Sequence, residues 1–319
     1  MTTLDRFARH SAFSDPGRHG QLLRELVGIE QICTAVGNLV LHYRAEAHLL
    51  RDDRRGEINS RWISAILDLD QERHPGRLLD PRPPGDRIAG CCRDHALLAV
   101  AALREHGVPA RSRVGFTNYF DPGFRGDHVV AEWWNGSRWQ RFDPELAPGS
   151  RPFDVRDLPT GEGSPFETAA EAWAGYRAGR LDPARYGVAP GTELSGPGFI
   201  RTYVTMEVLH RFGHEALLWD EVGTNITDSD ADELAALLLA ADAGDSAAED
   251  HLDHRFRTDP KLRPGPTITQ LSPYGDPPTT IDLTRPAPSP PVRGESVTDS
   301  LWRAGVGRGG WLRVVDNGK

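Results

Sequence analysis

The stretch from Gly90 to Gly107 constrains the fold of this chain more than any other part of the sequence. Apolar residues between Ala96 and Leu103 cover every face of the predicted helix, which is typical of a helix enclosed by other structure. Gly107 occupies the position of a left-handed C-cap, and Pro109 follows where a helix cannot continue. The sequence therefore predicts one buried helix with a well-defined end.

Cys92 falls in the first turn of this predicted helix. Unpaired backbone N–H groups and the positive end of the helix dipole stabilise a thiolate at that position. Cys92 is thus a candidate nucleophile. The alternative reading is a cysteine that packs in the core as a small apolar residue.

A β-hairpin is predicted downstream of the helix. Two aromatic-rich runs flank Asn135-Gly136, a dipeptide that favours a tight hairpin turn. His128 lies near the start of the first run and Asp143 at the end of the second, so an antiparallel pairing brings them side by side. A thiol facing a histidine that a carboxylate orients is the arrangement that acyl transfer through cysteine requires.

These residues resemble the core of the transglutaminase-like superfamily over about residues 85 to 150, and a weaker resemblance to uncharacterised bacterial proteins with this core extends from His10 to Pro273. The resemblance implies an α+β, papain-like fold, in which the cysteine at a helix N-terminus packs on an antiparallel sheet with added N- and C-terminal helices. It also favours Cys92 over Cys91 as the nucleophile. The matching motifs are Gly90-x-Cys92-x-Asp94-x-Ala96, Leu103-Arg104-x-x-Gly107-Val108-Pro109-Ala110-Arg111, His128 and Trp139-x-x-Phe142-Asp143-Pro144.

Composition narrows the class of partner and the compartment. The chain has 319 residues, a formal net charge of -9 and three cysteines. An acidic chain is a poor ligand for nucleic acid, and no apolar run is long enough to span a membrane. The N-terminus lacks the apolar segment of a signal peptide, and three cysteines do not form a disulfide framework. We therefore expect a cytoplasmic protein that binds neither nucleic acid nor membrane.

The expected domain organisation has three parts. Residues 1–225 are predicted to form the catalytic domain, 226–273 a helical extension, and 274–319 a tail rich in Pro and Gly that is ordered only by contact. Within the first part, the apolar spacing from Gln31 to Leu50 predicts a helix.

Aromatic residues near His128 are candidates for the substrate pocket. The sequence leaves open whether they line the pocket or cap the core. The resemblance makes Trp62 a further candidate, because some transglutaminases use an upstream Trp to stabilise the oxyanion; packing in the core is the alternative. The predicted pocket residues are Tyr119, Phe120, Phe124 and Trp134.

The predicted reaction is acyl transfer through a thioester on Cys92, with His128 holding the proton as an imidazolium and Asp143 orienting its ring. The expected acyl donor is a small molecule, a short peptide or a carrier-protein thioester, and the expected acceptor is an amine. Hydrolysis of an amide is the alternative, and an interaction protein without activity is the alternative of another class. No cofactor and no metal are predicted, since His210 and His214 lack a third ligand at suitable spacing.

Overall fold

The central sheet has five strands. Four of them are antiparallel and are β3 (Ala110–Thr117), β4 (Arg125–Trp134), β5 (Trp139–Phe142) and β6 (Phe166–Thr168), in the spatial order β5-β4-β3-β6. Strand β4 joins β5 through a turn at Asn135 and Gly136, where Gly136 has φ of 97°. The predicted hairpin is therefore confirmed. The fifth strand, β7 (Tyr186–Gly187), is short and pairs in parallel with the start of β4.

Helices surround this sheet, and the predicted α+β class is confirmed. The structure is a computed structural model that describes residues 3–161, 163–222 and 225–284. The helices are α1 (Thr3–Phe7), α2 (Gly20–Arg24), α3 (Gly28–Leu39), α4 (Ile63–Arg73), α5 (Cys92–Glu105), α6 (Ala169–Arg177), α7 (Pro197–Arg211), α8 (Asp228–Asp242) and α9 (Ser246–Thr258).

Helix α5 is the buried helix that the sequence predicts. Its residues from Cys92 to Arg104 are all buried, and the helix packs on β3 and β4. The chain leaves the helix at Gly107, which has φ of 70° as a left-handed C-cap requires. The helix therefore fixes Cys92 against the sheet that carries His128.

Arg93, the residue after Cys92, connects α5 to distant parts of the chain. Its side chain is fully buried and donates to the backbone carbonyl of Arg61 at 2.7 Å and to that of Glu215 at 3.1 Å. It also donates to the Asp94 carboxylate at 2.8 Å. Arg93 thus ties the start of α5 to one segment that precedes the helix in sequence and to another that follows it.

The predicted helix from Gln31 to Leu50 is wrong in its second half. Helix α3 ends at Leu39, and the chain continues as strand β1 (Val40–His42). This strand pairs in parallel with β2 (Ile88–Gly90), so that His42 lies beside Gly90. Apolar spacing does not distinguish a helix from a short buried strand whose partner is about 48 residues away in sequence.

The C-terminal part of the described chain packs on the same core. Helices α6, α7 and α8 contact one another, and α9 packs on α8. A hairpin of β8 (Thr267–Gln270) and β9 (Thr279–Asp282) follows. Of the predicted tail, residues 285–319 lie outside the described residues. Within residues 3–161, 163–222 and 225–284, the longest helices fall short of the length and apolar character that crossing a membrane would require.

Buried ion pairs join the sheet to the C-terminal helices. Arg113 on β3 contacts Glu132 on β4 at 3.2 Å, Glu207 on α7 at 2.8 Å and Asp242 on α8 at 2.5 Å. Burial alone would raise the pKa of Glu132, but the charges of Arg111, Arg113 and Arg141 outweigh it and lower that pKa to about 2. Removing one partner would leave a buried charge uncompensated, which is strongly destabilising.

Candidate active site

Cys92 is the first residue of α5, and Gly90 and Cys91 set the geometry of that helix start. The backbone N–H of Cys91 donates to the Asp94 carboxylate at 2.8 Å, and the Cys91 thiol receives the Asp94 N–H in return. A Cβ on Gly90 would lie 2.8 Å from the Asp94 carboxylate and 2.9 Å from Val40, so glycine is required there. At the first helical position the Cys92 N–H has no partner within the helix.

His128 and Asp143 are in direct contact. The His128 imidazole donates from Nε2 to Oδ2 of Asp143 at 2.8 Å, and both side chains are buried. The pairing register places Asp143 one residue beyond the end of β5, diagonal to His128 on the same face of the sheet. The contact expected from the hairpin is present. Because Nε2 is occupied, Nδ1 is the nitrogen of His128 left for a reacting group.

Asp143 accepts two further hydrogen bonds that orient its carboxylate. The Tyr119 hydroxyl donates to Oδ2 at 2.6 Å, and the Glu145 N–H donates to Oδ1 at 2.9 Å. Burial raises the pKa of Asp143, but the charge and hydrogen bond of His128 and the other donors outweigh it and lower that pKa. Asp143 is therefore held as a carboxylate next to the imidazole.

The pKa of His128 is raised. Burial acts to lower it, but the charge and hydrogen bond of Asp143, followed by the charges of Glu145 and Asp127, more than compensate. The protonated form of His128 is thus stabilised, as a histidine that accepts a proton from a thiol requires.

The thiolate that the helix N-terminus favours is not the resting state of Cys92. A hydrogen bond with Cys91 and then burial raise the pKa of Cys92 well above its ordinary value, and the charges of Cys91, Asp127 and Glu145 act in the same direction. In the folded chain, the hydrogen bond with Cys91, burial and two carboxylates act against the stabilisation that a helix N-terminus gives to a thiolate. Cys92 rests as a thiol and needs a base to become a nucleophile.

Asp127 and Glu145 act on the pKa of Cys92 and also on that of His128, which places thiol and imidazole in one environment. His95 lies three residues after Cys92 on the same helix and could in principle compete with His128 as the base, but its Nδ1 donates to the Cys91 carbonyl at 2.9 Å, which ties the ring to its own helix. Helix α5 and strand β4 thus bring the predicted nucleophile and the predicted base to one place.

The predicted pocket residues separate into two groups. Tyr119 and Phe120 lie over the imidazole, with ring centroids 5.7 Å and 5.3 Å from that of His128. Trp134 contacts Trp139 edge to face at the other end of β4, six residues from His128. At about 3.3 Å per residue in a strand its backbone is roughly 20 Å from that of His128, so the described contacts do not support its assignment to the pocket.

Phe124 and Trp62 are buried residues for which the described contacts show no ring contact with His128. Phe124 lies in the loop before β4, and its N–H donates to the Asp121 carbonyl at 3.1 Å. Trp62 precedes α4 and belongs to the main hydrophobic core. For Trp62 the packing interpretation accounts for its position.

Two site residues were missed by reasoning from the sequence. His42 on β1 has a pKa held well below its usual range by burial, and its Nδ1 accepts from the N–H groups of Arg44 at 3.3 Å and Ala45 at 3.2 Å. Glu145 offers a carboxylate oxygen within 4.8 Å of the ligand atoms of His128 and Asp143, a grouping that could hold a metal ion. Its position two residues after Asp143 was the available signal.

Residues 58–144 match the family model of the transglutaminase-like superfamily. The matched segment contains Cys92, His128 and Asp143, and the described fold has the α+β arrangement of that superfamily. Over this segment the chain is similar to the transglutaminase-like superfamily, and this similarity supports cysteine-dependent catalysis in general.

One solved structure similar to this chain is a candidate cysteine protease from Cytophaga hutchinsonii, with 23% sequence identity and a TM-score of 0.31. The similarity covers 47% of this chain and 46% of that protein, so the chain spans less than half the length of that relative. No curated protein matches the chain.

The Tyr119 hydroxyl gives a first test of the site. We expect Tyr119→Phe to lower kcat by roughly 10-fold at most, since it removes one hydrogen bond to a charged group and keeps the ring. With less of its charge neutralised, Asp143 would raise the pKa of His128 further. The acid limb of the pH–rate profile should therefore move to higher pH. An unchanged limb, or one at lower pH, would show that Tyr119 does not act through Asp143.

Proposed function

We propose that this protein transfers an acyl group from a small-molecule or short-peptide donor, or from a carrier-protein thioester, to an amine. The observation that carries the proposal is the His128–Asp143 hydrogen bond of 2.8 Å on the sheet that faces the helix start at Cys92. In this proposal Cys92 is the nucleophile, His128 the general base and then the general acid, and Asp143 the group that orients and stabilises the imidazolium.

The resting thiol determines the order of proton transfers. As the Cys92 sulfur attacks the acyl carbonyl, its proton passes to Nδ1 of His128, whose Nε2 already donates to Asp143. The unpaired N–H of Cys92 at the helix start is the proposed donor to the oxyanion. The imidazolium then protonates the leaving group, and the C–S bond of a thioester remains on Cys92.

The closed surroundings of the site favour transfer to an amine over transfer to water. Water is present at about 55 M, so an amine competes only where the site orients it and limits solvent access. Cys92 is 2% exposed and His128 3% exposed. Tyr119, Phe120 and Phe153 form a group of contacting rings on the side of His128.

A partition measurement tests this proposal. A panel of thioester and amide donors is screened by intact mass for an acyl adduct, and competent donors are then turned over with increasing amine. We expect amide to replace acid as the amine concentration rises, with saturation. If acid dominates at every concentration across a varied amine panel, the enzyme is an amidase or peptidase. If no donor acylates Cys92, cysteine catalysis itself is refuted.

A further inference from the structure

Glu145 differs from the other carboxylates near Cys92 in its hydrogen bonding. Its Oε2 is shielded from solvent and has no hydrogen-bond partner, although part of the side chain is exposed. One of its carboxylate oxygens lies within 4.8 Å of the ligand atoms of His128 and Asp143. A polar group enclosed without a partner is costly unless a ligand supplies one.

The neighbouring carboxylates already have partners. Asp127 accepts from the Tyr203 hydroxyl at 2.7 Å and faces the Arg44 guanidinium at 3.5 Å. Glu46 accepts from the His42 N–H at 3.0 Å. Asp143 accepts from the His128 ring, the Tyr119 hydroxyl and the backbone N–H of Glu145. Among these four acidic groups of the described chain, Glu145 is the one with an oxygen left for a substrate.

The charges around Glu145 favour a cationic ligand. The pKa of Glu145 is raised: burial is the largest cause, the charges of His95 and His128 act to lower it, and those of Asp143 and Glu46 act to raise it. Arg44 is the cation paired with Asp127, and within the described residues no Lys or Arg forms an ion pair with Glu145. The vicinity of Cys92 therefore has a surplus of negative charge, which attracts a cation and disfavours an anionic acceptor.

We propose that the Glu145 carboxylate binds the ammonium group of the acyl acceptor and makes this site selective for cationic amines. The inference rests on the proposed function and adds to it the residue and the charge that select the acceptor. The Glu145 carboxylate lies beside His128 and has an oxygen without a hydrogen-bond donor. An ammonium group bound there would form a charge-assisted hydrogen bond and would lie close to the thioester on Cys92.

The acceptor step balances with Glu145 as the first proton acceptor. The bound ammonium gives one proton to the Glu145 carboxylate, and the resulting amine attacks the thioester carbonyl. The C–N bond forms and the C–S bond breaks. His128 carries the second proton from the nitrogen to the Cys92 sulfur, which leaves an amide, a thiol and a protonated Glu145 that returns its proton to solvent.

A charge series of thiol reagents tests the inference without turnover. Cationic, neutral and anionic methanethiosulfonates are reacted with wild type, Glu145→Gln and Glu25→Gln in the presence of EDTA, and peptide mass locates the modification on Cys92. Glu25 is an exposed carboxylate and serves as the matched control. We expect the cationic-to-anionic rate ratio to fall about tenfold or more in Glu145→Gln and to stay at the wild-type value in Glu25→Gln.

Turnover supplies the second readout. The ratio of kcat/KM for a primary alkylamine, cationic at pH 7, to that for hydroxylamine, neutral at pH 7, should fall about tenfold or more in Glu145→Gln. Equal losses with both acceptors, or ratios that do not change, would overturn the role of Glu145. Failure of every donor to acylate Cys92 would instead refute the proposed function, while the thiol-reagent ratio would still decide whether Glu145 selects cations.

Discussion

Cys92→Ala abolishes formation of the acyl-enzyme, whereas Cys91→Ser and Cys91→Ala keep most of it: this is the first expected result. Cys92 is the first residue of α5, and it shares the neighbouring carboxylates Asp127 and Glu145 with His128. Removing a nucleophile lowers kcat by roughly 10⁴-fold or more. Cys91 is the N-cap, and its thiol receives the Asp94 N–H. Serine is a favourable N-cap residue, so Cys91→Ser preserves the helix start.

Intact mass after incubation with a competent donor measures the adduct, and steady-state turnover measures the rate. Thermal unfolding of each variant controls for folding, since both cysteines are buried. An equal loss of adduct in the Cys92 and Cys91 variants, with both folded, would refute Cys92 as the nucleophile. An adduct that persists in Cys92→Ala would identify another residue as the site of acylation.

Asp143→Asn is the second variant with a large expected effect. We expect kcat to fall by roughly 10³- to 10⁴-fold, because an amide can neither stabilise the imidazolium nor fix the tautomer in which Nε2 carries the proton. The Asp143 charge and hydrogen bond raise the pKa of His128. Its loss therefore lowers that pKa, and neutral imidazole, the form that can accept the Cys92 proton, persists to lower pH.

The pH–rate profile of Asp143→Asn should consequently have its acid limb at lower pH than wild type, the opposite direction from Tyr119→Phe. Opposite shifts in the two variants would be difficult to explain by loosened packing, which would move both profiles alike. The assignment fails if Asp143→Asn folds normally and keeps wild-type kcat, or if its acid limb moves to higher pH.

Local signals in the sequence predicted the parts of the site that depend on local structure. The end of α5 follows from Gly107 and Pro109, and the His128–Asp143 contact follows from the Asn135-Gly136 turn, because a short hairpin fixes which residues meet.

The features of the site that the sequence did not predict depend on burial or on contacts between residues that are distant in sequence. His42 reaches the site because β1 pairs with β2, and such pairing is not encoded near either strand. Trp134 was assigned by closeness in sequence, although an extended strand carries it away from His128. The protonated resting state of Cys92 depends on burial and on neighbouring carboxylates, which the spacing of residues does not reveal.

The Arg93 side chain limits whether residues 58–144 can be transferred to another protein. Its guanidinium depends on carbonyls of Arg61 and Glu215, and Glu215 lies outside the segment that matches the superfamily model. A chimera that grafts residues 58–144 onto another scaffold would bury this cation without one of its acceptors, beside the residue that has to react. A graft that keeps Arg93 buried and satisfied therefore has to carry the segment around Glu215 together with the helix.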